Sequence, residues 1–224
     1  MKSRGVIYIV WGKFDEALLK RSQESLKIHH PSLPIEVMRL PDDASLLDKA
    51  NMFDLTPFEE TLFLDADTVV MDNLEFGFEK AARTGLACSI CECPWARRYN
   101  GIDGDIVEYN TGVIFFTPIA KPVFDLWKSR VRILDSSILF RHGDSLARMP
   151  INDQASFAAA IEETGFDLFV LPYNWNFRPK WHKSWYGPIK IWHDYEPVPK
   201  PILLRNNEQS AADAIVDFSV LRDG

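Results

Sequence analysis

Short runs of hydrophobic residues alternate along this chain with longer segments in which hydrophobic positions recur every three or four residues. A short apolar run that ends at glycine or at polar residues is typical of a strand buried in a sheet. Such runs predict strands at Gly5–Val10, Ile35–Arg39, Leu62–Leu64, Leu86–Ile90, Gly112–Phe116, Leu168–Leu171 and Ile189–Trp192.

The segments between these runs have the three- to four-residue period that is typical of helices with one buried face. Two of these segments stop before a proline, at Pro31 and Pro57, as helices usually do. The pattern predicts helices at Asp15–His29, Ser45–Leu55, Leu74–Arg83, from about Val123 to Leu134, at Asp153–Glu163 and at Gln209–Leu221.

Strands that alternate with helices imply βαβ units, and therefore an α/β fold with a mostly parallel sheet flanked by helices. The chain has 224 residues, of which 46% are hydrophobic, so it is large enough for one sizeable core. No internal repeat or low-complexity linker divides it. We therefore expect a single domain that covers residues 1–224.

The net charge of −7 and the isoelectric point near 5.3 argue against nucleic acid and against an anionic membrane surface as partners. No stretch approaches the roughly 20 apolar residues of an integral membrane segment. The three cysteines, Cys88, Cys91 and Cys93, form one cluster without the further ligands that a structural zinc site needs. Reduced thiols in a cytoplasmic protein are the simpler interpretation.

The strand pattern at Leu62–Leu64 ends in two aspartates, Asp65 and Asp67. Residues i and i+2 of a strand point to the same side, so both carboxylates should meet at the end of the sheet where α/β proteins bind ligands. Two convergent carboxylates repel each other and favour a divalent cation, which in turn can carry a diphosphate. The alternative is that the aspartates only form a turn. A second D-x-D, Asp103-Gly104-Asp105, lies in a glycine-rich stretch that favours a turn.

Two further polar groups lie at predicted element boundaries. Asn110 offers an amide donor and acceptor where a strand begins, and Gly112 lets a ligand approach the backbone closely. A plain turn is an equally simple interpretation of these two residues. At the predicted helix start, Asn152 and Asp153 are preferred cap residues, whereas Gln154 adds little to a cap and can instead hydrogen-bond a sugar hydroxyl.

His193 follows the predicted strand Ile189–Trp192, and Lys200 follows a few residues later. A lone histidine is more often structural than a metal ligand, but a position at a strand end beside a lysine favours a ligand site for a metal and a phosphate. Two carboxylates and an imidazole suit Mn²⁺ better than Mg²⁺, which prefers oxygen ligands.

Four of the seven tryptophans lie between Tyr173 and Tyr195, where they alternate with polar residues. Aromatic rings mixed with polar groups suit a surface that binds carbohydrate. An aromatic core beneath the C-terminal loops explains the same pattern, and the sequence leaves both interpretations open. The four residues are Trp175, Trp181, Trp185 and Trp192.

From Val6 to about Pro201 the chain resembles the nucleotide-sugar glycosyltransferases of the GT-A fold, and among them family 8, the group of glycogenin and the bacterial lipooligosaccharide galactosyltransferases. The motifs that carry this resemblance are FLDADTVV, NTGV, NDQ and H-x(6)-KP. The chain differs from the family after the first strand, where Val10-Trp11-Gly12 replaces small polar residues, and between His193 and Lys200, where one residue is added and a glycine is missing.

The resemblance implies a Mn²⁺ (or Mg²⁺) site made by Asp65, Asp67 and His193. It also implies that a nucleotide-sugar donor, most simply a UDP-sugar, lies along residues of the first half of the chain and near Lys200. On this basis residues 1–116 bind the nucleotide and the metal, and residues 117–224 bind the acceptor and complete the metal site. The implied donor-binding residues are Val10, Trp11, Lys49, Asp65, Ala66, Asn110, Gly112 and Lys200, and those implied at the donor sugar are Asp153 and Gln154.

These observations predict an enzyme that transfers a sugar from a nucleotide diphosphate to a hydroxyl group of a glycan or another acceptor. The resemblance implies retention at the anomeric carbon, with Gln154 near that carbon, because no residue is an obvious covalent nucleophile. An inverting reaction would instead need a base, for which Asp153 and Asp103 are the candidates. The alternatives are a non-catalytic nucleotide-sugar or glycan-binding module with the same fold, and a nucleotide-sugar hydrolase.

Overall fold

The structure is a computed structural model, and it describes residues 3–91, 106–137, 139–148, 150–211 and 218–221. Asp103, Asp105 and Cys93 lie outside the described residues. The strands of the described part are β1 (Arg4–Val10), β2 (Ile35–Arg39), β3 (Glu60–Leu64), β4 (Thr68–Val70), β5 (Leu86–Ile90), β6 (Tyr109–Phe116), β7 (Leu139–His142), β8 (Ser145–Arg148), β9 (Phe169–Leu171), β10 (Ser184–Tyr186), β11 (Ile191–His193) and β12 (Phe218–Val220).

The helices of the described part are six α-helices and three short 3-10 segments. Asp15 caps the first α-helix and Asn152 the fifth, each by accepting a hydrogen bond from a backbone N–H of the first turn. The α-helices are α1 (Glu16–His29), α2 (Met52–Leu55), α3 (Glu75–Thr84), α4 (Lys121–Arg130), α5 (Asp153–Thr164) and α6 (Lys200–Ala211); the 3-10 segments are Leu46–Asn51, Pro118–Ala120 and Tyr173–Asn176.

Six strands form the central sheet in the order β2-β1-β3-β6-β5-β9. Five of them run in the same direction, and β6 is antiparallel to its neighbours β3 and β5. The predicted α/β fold with a mainly parallel sheet is therefore confirmed. The antiparallel direction of β6 was not predicted, because an apolar run has the same hydrophobic pattern in either direction.

Hydrophobic side chains of successive strand residues enter two cores, one on each side of the sheet. In β1, Ile7 and Ile9 face the core closed by α4, α5 and α2, whereas Val6, Tyr8 and Val10 face the core closed by α1 and α3. Strands covered on both faces have no solvated side, which explains why their sequences are apolar throughout rather than alternating.

The C-terminal part of the chain differs from the prediction. The helix expected at Gln209–Leu221 is wrong, because α6 begins earlier, at Lys200, and Phe218–Val220 forms strand β12 beside β10. Helix α6 is fixed by Asn206, whose buried amide bonds the backbone N–H and C=O of Ile189. The hairpin of β7 and β8 was also not predicted, although Gly143 at its turn has the positive φ of 60° that glycine readily adopts.

Most of the tryptophan-rich segment is core. Trp185 and Trp192 are buried with Phe177 in a small cluster behind β4 and β11, and Trp175 is buried against the central sheet. Trp181 is the exposed member of the four, with 43% of its surface accessible. The packing thus favours the structural interpretation for three of these four rings.

The predicted helix at Ser45–Leu55 is a 3-10 segment followed by the single turn α2. Cys88 and Cys91 are both buried. None of the described helices is both long and apolar enough to cross a membrane.

Candidate functional site

The candidate site lies at the end of the central sheet formed by the C-terminal ends of β1 and β3, which is called here the edge of the sheet. Because β6 runs in the opposite direction, it begins at this edge, and its residue Val113 pairs with Leu64 at the end of β3. The next residue of the chain, Asp65, donates its backbone N–H to the carbonyl of Gly112 at 2.8 Å. One antiparallel strand therefore brings Asn110 and Gly112 to the D-x-D.

Asp65 and Asp67 belong to a turn and do not continue the strand. The N–H and the hydroxyl of Thr68 both donate to the carbonyl of Asp65, which closes the turn before β4 starts. The expectation that alternation along a strand aims both carboxylates is therefore wrong in its geometry. The carboxylates still converge, because the turn folds Asp67 back toward Asp65.

His193 reaches the turn through strand pairing. β11 is antiparallel to β4, and this register places His193 beside Thr68, the residue after the D-x-D. The imidazole Nε2 lies 3.2 Å from Oδ1 of Asp67 and 3.8 Å from Oδ2 of Asp65. One ligand atom from each of these three side chains lies within 4.8 Å of the others.

A second set of contacts orients the imidazole. Nδ1 of His193 lies 2.7 Å from Oδ1 of Asn176, so Nδ1 carries a proton and donates it, and Nε2 faces the carboxylates; when the ring is neutral, Nε2 turns its lone pair toward them. Phe177 forms a parallel bridge with Trp192 and places Asn176 and Arg178 on either side of the histidine. Nη1 of Arg178 lies 3.4 Å from Nε2.

Gly112 leaves the space in which these groups meet. A Cβ atom at this position would lie 2.3 Å from Cε1 of His193 and 2.7 Å from Oδ2 of Asp65. Real Cβ atoms essentially never approach other heavy atoms this closely. The side chains of His193 and Asp65 can therefore approach each other only because residue 112 has none.

Lys49 is enclosed beside the D-x-D, with 2% of its surface accessible. Its ammonium lies 2.9 Å from Oδ1 of Asp65 and 3.7 Å from Oδ2 of Asp153. Asp153 is also buried, and it accepts a 2.6 Å hydrogen bond from the hydroxyl of Thr111. In this arrangement the direct partners of Lys49 are carboxylates, and the start of α5 is joined to the D-x-D through it.

The charges of the site act on one another. Burial raises the pKa of Asp65 against the opposing charge of Lys49, and Asp67 raises it further. Burial also acts to raise the pKa of Asp67, but the hydrogen bond and positive charge that a protonated His193 supplies, together with the charge of Arg178, outweigh burial and lower the pKa to about 2. Burial acts to lower the pKa of Lys49, and the charges of Asp65 and Asp153 reverse this and raise the pKa. Asp67 and Lys49 are therefore both charged at neutral pH.

The other residues predicted at the donor lie around this edge to different extents. Val10 is buried in the core at the end of β1, Trp11 follows it and packs partly against the opposite core, and Ala66 is the middle residue of the D-x-D turn. Asn110 is buried, and its Oδ1 accepts the N–H of Gly112 at 2.8 Å.

Gln154 and Lys200 are less closely tied to the cluster. Gln154 is half-buried in the first turn of α5 and donates to Sγ of Cys91 at 3.4 Å. Lys200 is the exposed first residue of α6, and its side chain makes no hydrogen bond or ion pair with any described residue.

Several residues that contact the candidate site were not predicted from the sequence to belong to it. Asn176 and Arg178 were placed with the aromatic segment, and Thr111 was passed over between two better candidates. Arg21 of α1 donates to the carbonyls of Asp194 and Tyr195, directly after His193. Its position on a helix far from any motif gave no signal.

The side chains suit a divalent cation. Two carboxylates and a neutral imidazole nitrogen converge at one point, and a further hydrogen bond fixes the ring with its lone pair toward that point. The glycine at position 112 keeps the approach to this point free of a Cβ atom. This mixed oxygen and nitrogen set matches Mn²⁺ better than Mg²⁺.

No family model and no curated protein matches the sequence. Solved structures do match the fold. The galactosyltransferase LgtC, solved with donor and acceptor sugar analogues, superposes with a TM-score of 0.58 at 14% identity over 94% of this chain and 97% of its own. Mouse xyloside xylosyltransferase 1 superposes with a TM-score of 0.54 at 13% identity, over 88% and 100% of the two chains.

The glycosyltransferase GlyE of Streptococcus pneumoniae TIGR4 superposes with a TM-score of 0.55 at 12% identity, over 94% of this chain. This chain spans 61% of the GlyE chain. At these identities the likeness is one of fold. The resemblance expected from the sequence is confirmed at that level: the chain has the GT-A fold of these glycosyltransferases.

Proposed function

We propose that this protein is a metal-dependent glycosyltransferase that moves a sugar from a nucleotide diphosphate, most simply a UDP-sugar, to a hydroxyl acceptor. The observation that carries the proposal is the convergence of Asp65, Asp67 and His193 within 4.8 Å at the sheet edge. Sheets of this class bind their ligands at this edge. The solved enzymes of the same fold transfer sugars, and LgtC was solved with sugar analogues of both substrates.

In this proposal Asp65, Asp67 and His193 hold Mn²⁺. A cation bound there supplies Lewis-acid chemistry, which offsets negative charge on a departing diphosphate. Lys49 keeps Asp65 in place through its ion pair, and Asn176 keeps the imidazole lone pair pointed at the site. These contacts hold the carboxylate of Asp65 and the imidazole of His193 in position.

The donor would lie along the ends of β1 and β3 and the start of β6. Val10, Trp11 and Ala66 are proposed near the nucleotide, and Asn110 and Gly112 near the sugar. Lys200 at the start of α6 is exposed and unpaired within the described part, so its ammonium is available to a phosphate. Residues 1–116 would then serve the nucleotide and the metal, and residues 117–224 would bind the acceptor and complete the metal site through His193.

We favour retention of configuration over inversion. Asp153, a candidate base for an inverting reaction, is buried and already shares its carboxylate with Thr111 and Lys49. A carboxylate that is paired in this way is a poor acceptor for a substrate proton. Gln154, the next residue, is half-buried and neutral, and it suits a role in orienting the donor sugar.

The test is a transfer assay with a panel of nucleotide sugars and glycan acceptors in the presence of Mn²⁺. Asp67→Asn should abolish transfer and Mn²⁺ binding without loss of folding, since the amide has nearly the same shape as the carboxylate and leaves no cavity. Asp54→Asn, at an exposed aspartate that pairs with Lys128, is the matched control and should keep full activity.

Three other results would change the assignment. Full transfer by Asp67→Asn would refute the metal site. Release of free sugar that does not depend on an acceptor would indicate a hydrolase. Donor binding by the parent protein without any turnover, across the whole panel, would favour a binding module.

A further inference from the structure

The face of α1 that packs beside the D-x-D turn carries three polar side chains. Arg21, Ser22 and Ser25 lie on this face, because residues three and four apart are neighbours on a helix. All three contact residues of the D-x-D turn, of β4 or of the segment after β11. An ordinary amphipathic helix would place apolar side chains here.

Arg21 joins two separate parts of the candidate metal site. Its Nη1 donates to the carbonyl of Tyr195 at 2.9 Å, and its Nη2 donates to the carbonyl of Asp194 at 2.7 Å. Nη2 also approaches the carbonyl of Asp67 at 3.5 Å. One guanidinium therefore contacts the backbone of Asp67 and that of Asp194 and Tyr195, the two residues that follow His193.

The charge of Arg21 has no carboxylate partner among the described residues. A planar guanidinium can span neighbouring carbonyls with its fixed set of N–H groups, whereas an ammonium offers a single point of charge. Its contacts are therefore those of a clamp on backbone geometry and not those of an ion pair.

Ser22 is connected to the same turn by a chain of hydrogen bonds. Its hydroxyl lies 3.0 Å from the hydroxyl of Tyr8 and 2.9 Å from that of Thr68, and the Thr68 hydroxyl donates to the carbonyl of Asp65 at 2.8 Å. Each hydroxyl has one proton, so the last bond fixes the direction of the chain as Tyr8 to Ser22 to Thr68 to Asp65. All these side chains are buried.

We infer that Arg21 is a positioning residue that sets the geometry of the proposed metal ligands Asp67 and His193, because it clamps to α1 the carbonyl of Asp67 and those of the two residues that follow His193. The inference rests on the proposed function, because it assigns Arg21 a role at the metal site proposed there. It adds a residue of α1, which carries none of the sequence motifs and contributes no ligand.

The direction in which Mn²⁺ affinity changes when Arg21 is replaced distinguishes a positioning role from a purely electrostatic one. A positive charge beside a cation site opposes cation binding, so removal of the charge alone would strengthen Mn²⁺ binding. Loss of a clamp that positions the ligands would instead weaken Mn²⁺ binding, as loss of support around metal ligands does by about 10–100-fold.

The experiment is an equilibrium Mn²⁺ titration of the full chain without donor, for the parent, Arg21→Met and Arg21→Lys. We expect Arg21→Met to bind Mn²⁺ about 10–100-fold more weakly than the parent. Arg21→Lys should also bind more weakly, because its ammonium cannot span two carbonyls. Ser22→Ala, which breaks the hydroxyl chain without a change of charge, should weaken binding in the same direction.

Arg39→Met is the matched control. Arg39, the last residue of β2, pairs with Glu16 of α1 through two exposed hydrogen bonds of 2.8 and 3.1 Å. Neither residue has a hydrogen bond to the D-x-D turn within the described part, so this variant should bind Mn²⁺ as the parent does. Circular dichroism and unfolding curves establish which variants are folded, and Arg21→Lys tests the clamp if Arg21→Met is not folded.

The outcomes separate the two proposals. A parent protein that binds no Mn²⁺ overturns the metal site and the clamp together. A parent that binds Mn²⁺, with folded Arg21 variants that bind it equally or more tightly, overturns the clamp and leaves the proposed function standing.

Discussion

Gly112 shows how a single missing side chain can determine a site. The imidazole of His193 and the carboxylate of Asp65 occupy the volume that a methyl group at residue 112 would fill. The two overlapping groups are the ends of side chains, which can rotate away. A larger residue should therefore damage the site more than the fold.

We expect Gly112→Ala to weaken Mn²⁺ binding by at least about tenfold, as displaced ligand support does, and to lower transfer activity with it. The loss of stability should stay within the ~1–3 kcal/mol of an overpacked position. The measurements are a Mn²⁺ titration and an unfolding curve on the same preparation.

Gly77→Ala is the control for that variant. Its Cβ would lie 2.5 Å from the ring of Phe115 in the core, so it should lose stability in the same range. Its Mn²⁺ affinity should not change, since no metal ligand is near. Equal affinities for Gly112→Ala and the parent would show that the ligands do not depend on this space.

At the scale of elements, Lys49 joins the 3-10 segment Leu46–Asn51, the end of β3 and the start of α5. We expect Lys49→Met to reduce the free energy of unfolding by about 3–5 kcal/mol, because it leaves the buried carboxylate of Asp153 and the partly buried carboxylate of Asp65 without their counter-charge. The double variant Lys49→Met/Asp153→Asn should recover part of this loss. Denaturant unfolding at neutral pH measures both.

The comparison for Lys49 is Lys128→Met, which removes an exposed ion pair with Asp54 and should cost about 0–1 kcal/mol. Because the pKa of Lys49 is raised in the folded protein, its contribution is complete below the unfolded value of about 10.4 and is lost as pH rises through the folded value. A loss as small as that of Lys128→Met would mean that the carboxylates do not need this charge.

His30 connects the end of α1 to the start of α3. Its buried Nε2 accepts the backbone N–H of Leu74 at 2.9 Å, so protonation at Nε2 would break this bond. Burial lowers the pKa of His30 against the opposing charge of Glu75. The folded protein therefore binds this proton less readily than the unfolded chain, and stability should fall as pH drops below about 6.5.

We expect His30→Gln, whose amide oxygen can accept the same N–H but does not titrate, to reduce this pH dependence between about pH 7 and 5.5. One proton accounts for at most about 1.4 kcal/mol per pH unit. Burial also lowers the pKa of the adjacent His29, so part of the dependence should remain in the variant. Unfolding curves at three pH values measure the slopes, and parallel slopes would assign the effect to other groups.

At the scale of the whole molecule, a ligand that binds only the folded state raises the stability of the entire domain. Mn²⁺ at 100 times its dissociation constant should add about 2.7 kcal/mol, which for a chain of this size raises Tm by roughly 5–10 °C. Thermal unfolding with Mn²⁺, with Mg²⁺ and with EDTA measures this. The shift should be smaller with Mg²⁺ and absent with EDTA.

In Asp67→Asn the Mn²⁺ shift should disappear, because one charged ligand is lost. A nucleotide sugar added with Mn²⁺ should raise Tm of the parent further, and the donor that raises it most identifies the sugar. An equal Mn²⁺ shift in parent and variant would place the cation elsewhere on the molecule.

The sequence predicted the α/β fold and the three side chains that converge at the end of the central sheet. Asp65 and Asp67 were found because they follow a strand pattern, and His193 because it lies at another strand end and because the family resemblance implies it. The strand of His193, β11, pairs with β4 outside the central sheet. The direction of β6 was not found, since hydrophobic patterns carry no direction. Arg21 was missed because a charged residue on a helix usually faces solvent, and only tertiary contacts show that this one does not.

The two errors at the C-terminus have a related cause. Helix α6 and strand β12 depend on contacts with distant segments, such as that of Asn206 with Ile189 and that of Phe218 with Tyr186. Local periodicity cannot register such contacts, and tertiary packing routinely overrides weak local preference.

The pairing of β5 with β6 has a consequence for how such a protein can diversify. The chain leaves β5 at Ile90 and re-enters β6 at Tyr109, and these two residues are paired with each other at the edge that holds Asp65. We expect insertions or deletions between them to leave the pairing of β5 with β6, and the positions of Asp65, Asp67 and His193, unchanged. Under the proposed function, such changes are a route to new acceptor preferences, in a lineage or in a designed library, with the same donor.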